Sequence, residues 1–110
     1  MGEELLSRVE EILLLVVWDL GDGAYGVPIR QRVGRLIGRT LSVGAVYVPL
    51  ERMAAAGLLR FEDGEPTPVR GGRRKRFYRL TPRGLRALKE TRRLTEGLWA
   101  GKTAWKGARV

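Results

Sequence analysis

Between Pro66 and Lys89 the chain carries nine basic side chains, Arg70, Arg73, Arg74, Lys75, Arg76, Arg79, Arg83, Arg86 and Lys89, and no carboxylate. Positive charge at that density suits one kind of chemistry, the binding of a polyanion, because each cation that meets a phosphate releases a condensed counterion. A second acid-free stretch, Ala24 to Leu50, holds Arg30, Arg32, Arg35 and Arg39. Over all 110 residues, 21 Lys+Arg against 12 Asp+Glu leave a formal net charge of +9. A basic run taken alone also reads as a solvated face, so both readings stand until the elements carrying it are placed.

Other chemistries are closed off by what is missing. The chain has neither histidine nor cysteine, which rules out a Ser-His-Asp or Cys-His nucleophile, imidazole or thiolate metal ligands, and disulfides. Neither catalytic residues nor a metal site nor a cofactor is expected, and an enzyme is the least favoured class. The stretch Gly97 to Thr103 has three residues between its glycines where a phosphate-binding loop needs four. The acidic pairs Glu3/Glu4 and Glu10/Glu11 point to different faces of a helix and suit its N-terminal dipole better than acid–base catalysis. The longest apolar run, Ile12 to Trp18, is seven residues, far below the ~20 that span a bilayer. With an acidic N-terminal segment unlike a signal peptide, a soluble cytoplasmic protein without membrane contact is expected.

The elements that must position the basic residues follow from periodicity and caps. Ser7 with Glu10 forms a capping-box pattern ahead of an apolar run from Val9 to Leu20. That first helix is apolar around its whole circumference, which calls for burial on two faces and hints at a second subunit. Gly21, Asp22 and Gly23 stop it. A second helix carries Ile29, Val33, Leu36 and Ile37 inward, with Arg30, Arg32, Arg35 and Arg39 outward. Ser42 caps a third helix with an inward stripe of Val46, Leu50 and Met53, ended by Gly57 and opened by the small residues Val43, Gly44 and Ala45. Pro49 removes one backbone donor inside it. Leu58, Leu59 and Phe61 read as a strand, Asp63 to Pro68 as a projecting loop, and Arg70 as the start of a return strand containing Phe77 and Leu80. Thr81-Pro82 opens a fourth helix with Leu85, Leu88, Leu98 and Trp99 near one stripe.

Three helices, a strand, a basic loop, a strand and a helix make a winged helix-turn-helix: a mainly α fold with one small β-hairpin, followed by a C-terminal dimerisation helix. Residues 1–81 are expected to form the DNA-binding domain, 82–100 the dimerisation helix and 101–110 a flexible basic tail. In that order of elements the second helix, the front of the third and the hairpin converge on one surface, a footprint for double-stranded DNA.

The runs GDGAYGVPI, SVGAVYVPLERMAAAGLL and RGGRRKRFYRLTPRGLRAL resemble the PadR-type transcriptional regulators, and the resemblance extends from about Ser7 to Leu98. It implies a homodimeric regulator, usually a repressor, held together by the first and last helices and reading a palindromic operator. Carried over by position, it marks Ala24, Tyr25 and Gly26 at the entry to the second helix, Ser42, Gly44 and Tyr47 in the recognition helix, and Gly72, Arg73 and Tyr78 in the wing. Many members place proline directly after the tyrosine matched by Tyr47, whereas here Val48 intervenes before Pro49.

On this basis the expected DNA contacts are Tyr25, Arg39, Thr40, Ser42, Val43, Gly44, Tyr47, Arg70, Gly72, Arg73, Arg74 and Lys75, with Tyr47 reaching a phosphate or a thymine methyl. The expected dimer interface comprises Leu13, Val17, Trp18, Leu88, Leu98 and Trp99. For Tyr25 and Tyr78 a ring in the core with a backbone-bonded hydroxyl competes with a DNA role. Trp18 and Trp99 either fill the dimer core or bind a small aromatic effector. Two other functions compete with an operator-reading regulator: a charge-driven DNA binder without sequence preference, and a winged helix used for protein assembly.

Overall fold

A computed structural model describes residues 5–64 and 75–102. The first helix, α1, runs Arg8–Leu20 from a complete capping box. Ser7 Oγ accepts from the Glu10 amide at 3.1 Å, and the Glu10 carboxylate accepts from the Ser7 amide at 2.8 Å. That reciprocal bond, with burial opposing it and Arg52 assisting, holds the Glu10 carboxyl below its ordinary value. A single 3₁₀ turn at Gly21–Gly23 leads to α2, Gly26–Ile37. Gly38, at φ 73°, closes α2 in the left-handed conformation that favours glycine. Next comes α3, Val43–Ala55, capped by Ser42 Oγ on the Ala45 amide at 3.1 Å and continuous through Pro49.

Strands β1, Leu59–Asp63, and β2, Arg76–Leu80, pair antiparallel, with Leu59 opposite Leu80 and Asp63 opposite Arg76. Tyr25 adds a one-residue bridge to Phe77, and the Tyr78 amide donates to the Ala24 carbonyl at 2.7 Å. The wing is thereby stitched to the entrance of α2. Thr81 and Pro82 then start α4, Pro82–Trp99. The Thr81 hydroxyl serves two elements: it accepts from the Gly84 amide at 3.0 Å and donates to the Gly57 carbonyl at 2.6 Å. A Cβ at Gly84 would lie 2.2 Å from the Leu58 carbonyl oxygen, so only glycine lets α4 approach this closely.

The core is a single cluster behind α3. It takes Leu13, Leu14, Val16 and Val17 from α1, Ile29 and Val33 from α2, and Val46, Leu50 and Met53 from α3. Leu58, Leu59, Tyr78, Ala87 and Leu88 close it from the hairpin and α4. Mainly helical structure with one small antiparallel hairpin is thus the observed architecture.

Among the described residues the return strand begins at Arg76, opposite Asp63, and the expected start at Arg70 lies outside them. Elsewhere the structure departs from the expectations. On α2, Arg30 and Arg32 are half-buried: Arg30 Nε donates to the Leu41 carbonyl at 2.8 Å, and Arg32 pairs with Asp19 at 2.6 Å. The shared stripe on α4 splits, since its buried residues Gly84, Ala87, Leu88 and Thr91 all lie in the first ten positions, whereas Leu98 and Trp99 are each 70 % exposed. Finally, Leu13, Val17 and Leu88 are sealed in the protomer's own core and have no surface to offer a partner, whereas Trp18 is exposed.

Candidate nucleic-acid interface

The contact surface is organised by the first residues of α2. Gly26 is buried because the Tyr47 ring of α3 lies across it; a Cβ at Gly26 would sit 1.6 Å from the Tyr47 hydroxyl oxygen. The expectation that Tyr47 reaches outward is therefore revised: its half-buried ring spaces α3 from α2. One residue earlier, the Tyr25 ring packs edge-on against Phe77 at 5.4 Å between centroids, and Lys75 Nζ stands 4.6 Å above the same ring. Two expected contact residues, Tyr25 and Lys75, are thus brought together at the root of the wing.

The turn between α2 and α3 is drawn tight by Arg30 on the Leu41 carbonyl. Along the outer side of α2, an open groove of about 780 Å³ gathers Arg30, Gln31, Arg35, Arg39 and Thr40. Arg35 and Arg39 are exposed and have no carboxylate partner among the described residues. Ser42, Val43 and Gly44 follow directly and are likewise exposed. Arg70, Gly72, Arg73 and Arg74 lie outside the described residues.

Several other cations are already committed. Arg76 Nη1 pairs with Glu51 of α3 at 3.1 Å and its Nε with Asp63 of β1 at 3.3 Å, while its guanidinium covers the Phe61 ring at 4.0 Å. The Tyr78 hydroxyl donates to the same Glu51 oxygen at 3.3 Å. Burial, reinforced by the charge of Glu51, pushes the Tyr78 hydroxyl up to about 12. Tyr78 thus takes the core position, though its hydroxyl bonds a side chain rather than backbone. Arg79 joins Asp22 at 2.8 Å and Glu62 at 3.5 Å, and Arg52 joins Glu10 at 3.4 Å. Glu51 was not legible as a functional residue, because its partners lie 25 and 27 residues away and no local spacing announces them.

Among the described residues no group of three or more acidic side chains is arranged to hold a metal ion, and no helix is long and apolar enough to cross a membrane. Among the described residues the arrangement can present the front of α3, the guanidinium groups of Arg35 and Arg39 and the Lys75 ammonium to a polyanion.

Known proteins share both the sequence and the shape. The chain is 40 % identical over 74 residues to the transcriptional regulator Rv3488 of Mycobacterium tuberculosis, a match covering 67 % of this chain and 64 % of that protein. It is 33 % identical over 63 residues to the transcriptional activator GvpE2 of Halobacterium salinarum, covering 57 % of this chain and 33 % of that protein. The chain therefore spans less than two thirds of the length of either relative. An X-ray structure of a PadR-like transcription factor from Bacteroides fragilis superposes with a TM-score of 0.70 at 26 % identity, covering 82 % of each chain. Residues 13–90 match the sequence model of the Transcriptional regulator PadR-like family, and with a winged helix-turn-helix in place around that segment, the chain belongs to this family of DNA-binding transcriptional regulators.

Proposed function

We propose that the protein is a sequence-specific regulator that binds a palindromic operator as a homodimer, most simply as a repressor, with α3 in the major groove and the wing on the flanking backbone. The observation that carries this reading is the convergence at the start of α2, where Gly26 seats the recognition helix through Tyr47 and Tyr25 seats the hairpin through Phe77 and Lys75. Recognition helix and wing are thereby set against one another by a single short segment. Arg35, Arg39 and Thr40 continue that surface with uncommitted donors suited to phosphates. Exposed Leu98 and Trp99 on α4, and Leu15 and Trp18 on α1, supply apolar surface for a second subunit. Beside Trp18, Ile12, Leu15 and Leu36 border an open groove of about 540 Å³, where a planar aromatic effector would be sought.

The test is selection of binding sites from random duplexes followed by affinity measurement. The expected product is a palindrome with half-sites one helical turn apart, ~34–36 Å, bound by a dimer, at ~10³-fold or greater preference over random DNA. Equal affinity for both would favour a charge-driven binder, and absence of binding a protein-assembly module.

A further inference from the structure

The most exposed side chains on the first two turns of α3 are apolar. Val43 and Val48 are 54 % and 60 % exposed, and exposed Gly44 and Ala45 complete the patch. Of the polar groups beside them, Ser42 Oγ accepts the Ala45 amide and the Tyr47 ring lies across Gly26. A turn further on, Glu51 is held by Arg76 and Tyr78, and Arg52 reaches back to Glu10.

Major-groove readers choose guanine with arginine or lysine, adenine with asparagine or glutamine, and cytosine with a carboxylate; an apolar side chain recognises only the 5-methyl group of thymine. Resting on the placement of α3 in the groove, we propose that the protein reads its operator through thymine methyl groups packed against Val43 and Val48. The occupant of this apolar patch is duplex DNA rather than a protein surface, because the same helix-turn-helix carries exposed Arg35 and Arg39, with Arg39 and Thr40 leading directly into α3, and these cations complement a phosphate backbone. Phosphate contacts then fix the register and the two valines supply the choice of base.

The experiment takes the selected operator and replaces each thymine of a half-site in turn with deoxyuridine, which removes one methyl and leaves base pairing intact. At one or two positions per half-site, affinity should fall about four-fold, the worth of one buried methyl-sized group. Val48→Ala and Val43→Ala should bind the thymine operator more weakly and lose the sensitivity to uracil at their own positions. Because the change is first made in the DNA, the result does not depend on a variant folding. Undiminished affinity for the uracil operator overturns methyl readout while leaving the regulator intact, as does a uracil effect that persists in both valine variants. Failure to prefer any selected duplex over random DNA overturns the regulator reading itself.

Discussion

Helices α2 and α3 lie side by side in the helix-turn-helix and present opposite chemistry. The outer side of α2 and the turn after it offer Gln31, Arg35, Arg39 and Thr40 in one groove, whereas the leading turns of α3 offer Val43, Gly44, Ala45 and Val48. Charge attracts any duplex, and shape with apolar contact discriminates among duplexes. On the proposed reading, the contrast divides holding from choosing. It also sets apart the arginines neutralised within the fold, Arg52, Arg76 and Arg79, from Arg35 and Arg39, which have no carboxylate partner among the described residues.

Four experiments break or sharpen this contrast. The largest effect belongs to Gly26→Ala, which drives a Cβ into the Tyr47 ring and separates the helices. A loss of about 3 kcal/mol in thermal unfolding is expected, partly restored by adding Tyr47→Leu; full stability in the single variant would show that the helices are not locked there. Next, Arg35→Ala with Arg39→Ala should weaken operator and random DNA alike and lower the salt slope by about one per residue. A changed preference between the two DNAs would move α2 into the choosing class. Third, Arg76→Ala should erode the preference for operator while leaving the salt slope unchanged, because its guanidinium is bound by Glu51 and Asp63 rather than by phosphate. A slope reduced by about one would make Arg76 a phosphate contact.

The smallest effect is alkaline. Tyr78 keeps its proton to about 12 when folded, against 10.0 ordinarily, so its contribution to stability is complete below pH 10 and fades as pH rises toward 12. Urea unfolding across that range should show an alkaline decline that is shallower in Tyr78→Phe. Equal declines would detach Tyr78 from the frame that holds α3.

Caps and stops were readable because their chemistry is local: Ser7 with Glu10, Ser42 before Val43, Thr81 before Pro82 and glycines after α1 and α3 each act within a few residues. The order of these elements was enough for the winged fold. Tertiary partnerships were not readable. Tyr47 looked like a projecting contact because nothing nearby in the chain shows that a glycine 21 residues earlier makes room for its ring. Arg30 and Arg32 looked outward on a helical wheel, yet a carbonyl at Leu41 and a carboxylate at Asp19 draw them in. Leu98 and Trp99 continue the apolar stripe of α4 beyond the point where the core ends, a limit that periodicity does not encode.

The double duty of the Thr81 hydroxyl, together with the bare Gly84 backbone, makes the root of α4 a stiff joint at one end of a rod. Eighteen helical residues reach ~27 Å at 1.5 Å each, so turning the rod by about 10° sweeps its tip through about 5 Å. The leverage also runs in reverse: whatever grips Leu98 and Trp99 commands the angle at Thr81 with a long mechanical advantage. Since that hydroxyl is anchored to the carbonyl just past the end of α3, a partner gripping the far tip would set the tilt of α3.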